Sequence, residues 1–161
     1  MIEPVPEVIT RTAKTARARQ RLSAVGMWLL KMGLLQGRVL DFGCGRGDLA
    51  KFIAACPGAE YFPSEICQWD PNWHPKRPRG KFDTVTCTYV MNVLPPAQRK
   101  KALQDAQGFV RKNGRLYVAV RRDLDAEPHV GSGQYSVKLH KHFKSIYLRS
   151  GKFEIYEWVN V

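Results

Sequence analysis

The chain has 161 residues, 44% of them hydrophobic and 25% charged, which suits one globular domain spanning 1–161 and excludes a disordered polyelectrolyte. Its 26 Lys and Arg against 14 Asp and Glu give a net charge of +12, an excess that gathers polyanions and makes nucleic acid, DNA or RNA, the expected partner. No apolar run reaches the ~18 residues of a membrane span and the start lacks a signal-peptide core, so a cytoplasmic protein is expected.

Pro4 and Pro6 keep the first residues extended. From about residue 7 to 35 the sequence favours a basic helical segment. Leu22, Val25, Leu29 and Met32 hold helical spacing, and Trp28 and Leu30 widen the apolar stripe. Lys14, Arg17 and Arg21 fall three or four apart and form a basic face on that helix. Gly33 and Gly37 close the element.

Residues 39–50 read Val-Leu-Asp-Phe-Gly-Cys-Gly-Arg-Gly-Asp-Leu-Ala. Val39, Leu40 and Phe42 suit a buried strand. Gly43, Gly45 and Gly47 then remove every second Cβ, which lets the backbone pass close to a ligand. Asp48 caps a helix with Leu49, Phe52 and Ile53 on one face. Strand, glycine turn and helix in this order open a nucleotide-binding, doubly wound sheet. Dinucleotide sites use G-x-G-x-x-G, whereas here the glycines alternate strictly and follow Asp41.

This D-x-G-C-G-x-G form resembles motif I of class I methyltransferases that use S-adenosylmethionine. The resemblance implies an α/β, Rossmann-like parallel sheet. It also implies that Asp41, Gly43, Cys44 and Gly45 hold the methionine portion of the cofactor. A NAD(P) site and a ligand-free glycine turn are the competing readings.

A second strand is predicted within Ser64 to Trp69, ending at Asp70 and Pro71. Asp70 lies 25 positions after Gly45, a distance that suits a carboxylate at the strand tip receiving both ribose hydroxyls. An exposed turn aspartate is the alternative. The next strand, Phe82 to Thr88, begins after only the 11 residues 71–81, which contain Pro71, Pro75, Pro78 and Gly80. These cannot form a helix, a third strand and a second helix, so the fold is an abbreviated class I methyltransferase fold lacking its usual third-strand region. Extended, the connection spans about 35 Å, enough to re-enter parallel on the far side of the first strand. Trp69, Trp73 and His74 are candidates to lie against the adenine, with Trp73 equally a hydrophobic plug.

Cys87, Thr88 and Tyr89 complete the expected cofactor pocket. After Asn92 and Pro95-Pro96, residues 97–110 read as a helix, with Leu103, Ala106 and Val110 on one face. Asn113-Gly114 turns the chain into a strand at Arg115 to Val120. A loop follows, then a short basic helix around Leu139 to Arg149 and a last strand, Phe153 to Val159.

A narrower likeness rests on Arg11-Thr12-Ala13, Arg17, Gly43 to Asp48, Trp69-Asp70-Pro71 and Tyr89 to Val93. These resemble the methyltransferases associated with DNA phosphorothioation systems. Against amino-methyltransferases of nucleic acids, the D/N-P-P-Y/F motif is absent, since Val93 and Leu94 separate Asn92 from the prolines. No Pro-Cys nucleophile is present either. Methyl transfer needs alignment more than a base, and Tyr89, Asn92 and Tyr135 are the groups expected near the methyl, as catalytic orienters or as framework. Lys76, Arg77 and Arg79, with Arg17 and Arg21, are the expected contacts to nucleic acid phosphates. His140 and His142 face different ways on a helix, Cys44, Cys56, Cys67 and Cys87 contain no C-x-x-C pair, and no metal site is expected. A cofactor-binding accessory protein without transfer activity and a small-molecule methyltransferase remain open alternatives.

Overall fold

The structure, a computed structural model, describes residues 21–55, 63–124, 133–139 and 141–161. In chain order its elements are α1 (Ala24–Lys31), β1 (Arg38–Phe42), α2 (Asp48–Ala54), β2 (Glu65–Trp69), β3 (Phe82–Thr88), α3 (Pro96–Gly108), β4 (Val110–Arg121), β5 (Lys144–Arg149) and β6 (Phe153–Val159). The strands form one six-stranded sheet in the order β2-β1-β3-β4-β6-β5. β2, β1, β3 and β4 are parallel; β6 runs antiparallel to both β4 and β5.

β3 is buried almost continuously, as a parallel strand covered on both faces must be. On β4 the two faces separate with period two. Leu116, Val118 and Val120 pack with Phe42, Phe82, Val85 and Ala106, on the face covered by α3. Tyr117 and Ala119 pack with Val25, Leu29 and Ile53, on the face covered by α1 and α2. The polar residues inside β3 are satisfied: the Thr84 hydroxyl donates to the Gln36 carbonyl at 2.9 Å and the Thr86 hydroxyl to Asp41 Oδ1 at 2.9 Å. Burying each without a partner would cost about 1–3 kcal/mol.

Ser23 caps α1, its hydroxyl accepting from the Gly26 N–H at 3.1 Å, and Gly33 with φ +67° ends it. Of the basic segment expected over about 7–35, residues 1–20, including Arg17, lie outside the described residues. The short link 71–81 crosses from β2 to β3 with neither helix nor strand, and β3 takes its place beside β1, opposite β2. The abbreviation expected from its prolines is therefore present.

Three expectations are corrected. Asp48 is the first residue of α2 and does not cap it; the N-cap position falls to Gly47, which has no side chain to bond. The sheet is mixed, because β5 and β6 return as an antiparallel hairpin. The basic helix expected around Leu139 to Arg149 is not one: its second half is β5. Ser145-Ile146-Tyr147-Leu148 faces the run Phe153 to Tyr156 across a turn containing Ser150 and Gly151. β-branched and aromatic residues flanking a Gly-containing turn favour the hairpin over the short basic helix.

Candidate functional site

The carboxyl ends of β1, β2, β3 and β4 frame a cleft of about 720 Å³, within the ~300–1,000 Å³ of small-ligand sites. The glycine loop forms part of its wall. Gly43, Gly45 and Gly47 have φ +72°, +55° and +81°, so all three adopt the left-handed conformation that a side chain disfavours. The loop is held from below, Gly43 N–H and Cys44 N–H both donating to the Trp69 carbonyl at 2.8 and 3.1 Å. Gly43 and Gly45 line the cleft. The absent side chains have a further reason: a Cβ on Gly43 would sit 2.3 Å from Val90 Cγ2, and one on Gly47 2.3 Å from Gln68 Nε2. At Gly47 it is thus a protein side chain that needs the space.

Three carboxylates gather at this end of the cleft: Asp41, Asp48 and Asp70. Asp41 is buried at the end of β1, and its pKa is pushed up to about 6, first by desolvation, then by Asp70 and Asp48, against the lowering hydrogen bond from Thr86. Asp70, 7% exposed, accepts from the Gly45 N–H at 3.1 Å through one oxygen. Its other oxygen accepts from Asn72 N–H at 2.8 Å and Trp73 N–H at 3.1 Å. It therefore ties the tip of β2 to the glycine loop, while a carboxylate's roughly four acceptor sites leave capacity on the Gly45-facing oxygen. Burial, then Asp41 and Asp70, push the Cys44 thiol far up, which keeps it protonated and removes it as a nucleophile.

Thr88 and Tyr89 line the cleft where β3 ends. Tyr89 has φ +60°, an uncommon conformation for an aromatic residue, held by its N–H donating to the Ala119 carbonyl at 2.9 Å. Trp69 contributes to the lining but is 8% exposed, its ring 4.9 Å from that of Phe42. Trp73 and His74 do not line the cleft; Arg46 lies over the Trp73 ring at 4.5 Å.

Several predicted site residues stand elsewhere. Cys87 is fully buried in the core with its thiol pushed up by desolvation, so it does not face the cleft. Asn92 is also fully buried and serves the framework: its amide donates to the Tyr135 carbonyl at 2.7 Å and its oxygen accepts from Arg121 N–H at 2.8 Å. Tyr135 packs under Arg99, 4.8 Å from the ring centre, outside the cleft lining. Of the three expected catalytic groups only Tyr89 lines the cleft.

Lys76, Arg77 and Arg79 lie on the crossover outside the cleft lining. Arg77 pairs with Asp105 and covers the Phe109 ring at 4.5 Å. The Arg79 carbonyl accepts from Arg38 at the amino end of β1, the end of the sheet away from the glycine loop. Arg21 is exposed just before Leu22 and Ser23, which do line the cleft. Among the described residues no His, Cys, Asp and Glu cluster could hold a metal. Nor is any helix there long and apolar enough to cross a membrane.

The sequence reading missed the far wall of the cleft, where Arg121, Asp123, Gln134, Arg149 and Lys152 line it. Arg121 donates to both oxygens of Asp123 at 2.8 and 2.6 Å and to Gln134 Oε1 at 2.8 Å. The signal for this wall was the hairpin, whose turn lies beside the carboxyl end of β4 through the Arg121–Phe153 pairing.

The comparisons agree with this architecture. No curated protein matches the chain in sequence. Magnesium protoporphyrin IX methyltransferase from Synechocystis PCC 6803 with bound S-adenosylhomocysteine is 17% identical over 100% of this chain and 89% of that one, with TM-score 0.51. Burkholderia thailandensis 1,6-didemethyltoxoflavin-N1-methyltransferase is 15% identical over 86% and 77%, with TM-score 0.56. The N-methyltransferase NodS from Bradyrhizobium japonicum WM9 is 13% identical over 96% of each chain, with TM-score 0.54. A family model described as a methyltransferase domain matches residues 8–151. The family model covers most of the chain, which therefore belongs to the methyltransferase domain family.

Proposed function

We propose that the enzyme transfers the methyl group to a small acceptor seated in the cleft against Tyr89 and the β4 wall, with the cofactor at the glycine loop. The observation that carries this is the gathering of Asp41, Asp48 and Asp70 around the left-handed glycine turn. S-adenosylmethionine carries an ammonium and a sulfonium, and supplies an electrophilic methyl carbon when bound. Its donor chemistry fits a wall of carboxylates, one of them desolvated and calling for a cation. In this reading Asp41 faces the ammonium end, Gly43, Cys44 and Gly45 floor the methionine portion, and Asp70 adds a ribose hydrogen bond through its Gly45-facing oxygen. Trp69 and Thr88 complete the wall.

The chain's own contribution is alignment and exclusion of water. Tyr89, fixed by its backbone conformation and its bond to β4, orients the acceptor; the protonated Cys44 offers no competing nucleophile. The solved relatives above include enzymes of a porphyrin and of a toxoflavin precursor, which supports a small acceptor. A nucleic acid acceptor is the second reading, favoured by the net charge of +12 and by the likeness to phosphorothioation-associated methyltransferases. Labelled methyl transfer into fractionated cell extracts separates the two. Label in the low-mass fraction is expected; label confined to DNA or RNA would overturn the small-acceptor reading.

A further inference from the structure

The two ends of the cleft differ in net charge. Around the glycine loop stand Asp41, Asp48 and Asp70 with one cation, Arg46, whose guanidinium lies over the Trp73 ring; Lys101 and Asp105, of opposite sign, also line the cleft. Across the cleft, Arg121, Arg149 and Lys152 face a single carboxylate, Asp123. That carboxylate is engaged by Arg121 through two hydrogen bonds, which hold its pKa below the usual range, with Lys152 adding a smaller effect. Arg149 forms no ion pair among the described residues, nor does Lys152.

Backbone bonds fix where these two cations stand. Lys152 N–H donates to the Arg149 carbonyl at 3.0 Å, closing the turn between β5 and β6. Arg122 N–H donates to the Lys152 carbonyl at 2.9 Å, which docks the turn on the end of β4. The turn thus sits at the same edge of the sheet as the glycine loop. Both side chains are exposed to solvent while lining the cleft, so they meet an incoming group before burial.

We infer that this turn is an anion-binding subsite for the acceptor: Arg149 and Lys152 hold a carboxylate or phosphoryl group of the molecule to be methylated. The inference rests on the methyltransferase reading and adds the acceptor's chemical class. A cationic cofactor and an anionic acceptor would each find the end of the cleft that attracts it, and the charges would also set the order of the two along the cleft. Arg149 gives a planar fork suited to either anion, and Lys152 a point charge beside it.

The test uses the full chain labelled with ¹⁵N, first titrated with S-adenosylhomocysteine. Absence of binding there would count against the cofactor site alone. Free and S-adenosylhomocysteine-loaded protein are then titrated with inorganic phosphate, with benzoate, and with a short single-stranded oligonucleotide. Phosphate or benzoate should shift amides of residues 149–152 and Arg121 saturably. Arg149→Gln with Lys152→Gln should weaken that binding by roughly tenfold or more, the loss expected for charge-assisted hydrogen bonds. The pair Lys100→Gln with Lys112→Gln, outside the cleft, should leave it unchanged. Shifts spread evenly over exposed basic residues, or unchanged in the first double variant, would overturn the proposal. Saturation of the turn by the oligonucleotide but by neither small anion would overturn the small-acceptor assignment.

Discussion

Asp41→Asn separates the cost of the buried carboxylate from its use. In the folded protein the Asp41 pKa rises from the ordinary 3.8 to about 6. Below pH ~4 the group is neutral in both folded and unfolded chains, and its burial costs little. Between about 4 and 6 the unfolded chain loses the proton first, so stability falls as pH rises. Above about 6 the full penalty is present, about 3 kcal/mol at ~1.4 kcal/mol per pH unit. Asparagine keeps an acceptor for Thr86, whose hydroxyl lies 2.9 Å from Asp41 Oδ1, and carries no charge. The variant should therefore be more stable at pH 7 by up to about 3 kcal/mol, raising the thermal midpoint of the free protein by roughly 6–12 °C. It should gain only about 0.5 kcal/mol at pH 4, where the folded carboxyl is still protonated. S-adenosylmethionine should bind the variant roughly ten- to hundredfold more weakly at pH 7, the loss of a hydrogen bond to a charged partner. Wild-type affinity should fall about tenfold from pH 7 to pH 5 as Asp41 takes up its proton, and the variant should be flat over that range. Thermal melts and calorimetry at pH 4, 5, 6 and 7 read all of these. A variant that is less stable at pH 7, or a wild-type affinity indifferent to pH, would refute the assignment of a desolvated carboxylate to the cofactor's ammonium.

Other substitutions address the remaining framework. Asp70→Ala removes the acceptor of three backbone N–H groups, so it should lower both thermal stability and cofactor affinity; each lost charged hydrogen bond costs about 1.5–3 kcal/mol, and an unchanged melt would return Asp70 to an ordinary turn. Asn92→Leu strands the Tyr135 carbonyl and the Arg121 N–H, and a loss of about 2–4 kcal/mol in denaturant melts is expected, whereas a pure activity loss at full stability would restore a catalytic role. Gly43→Ala forces a Cβ to 2.3 Å from Val90 Cγ2 at φ +72°, so cofactor affinity should fall and the melt shift downward together. Lys76→Glu with Arg79→Glu should leave cofactor affinity unchanged, because both residues lie outside the cleft.

How much of this was legible in the sequence differs between its parts. β1, the glycine turn and α2 could be read because apolar residues, alternating glycines and Asp48 all point to one local structure. β3 was legible as a continuous run, and the prolines of 71–81 ruled out further elements in the crossover. The hairpin β5-β6 was hidden by the basic residues leading into it, since Lys138, Lys141 and Lys144 recur every third position, a helical spacing, until the Ser150-Gly151 turn is weighed. At the site, spacing pointed to Asp41, Asp70, Gly43 and Gly45, all of which line the cleft, while Asp48, read only as a helix cap, lines it as well. Asn92 and Tyr135 were assigned to the cleft because polarity near a strand end is shared by catalytic and framework residues. Only the bonds from Asn92 to Arg121 and Tyr135 separate the two. Charge alone also did not say where the cations stand: Arg77 is engaged with Asp105 while Arg149 and Lys152, less prominent in sequence, reach the cleft.

The central claim, that the glycine loop and its acids hold S-adenosylmethionine, is tested most directly by calorimetric titration of the wild-type chain and Gly45→Val with S-adenosylmethionine, S-adenosylhomocysteine and NAD. Gly45 lines the cleft at φ +55°, where a branched side chain is strained and enters the ligand's volume. Saturable heat with the first two ligands, none with NAD, and loss of the signal in a folded Gly45→Val protein are the predicted results. NAD binding without sulfonium binding, or undiminished S-adenosylmethionine binding to the variant, would contradict it.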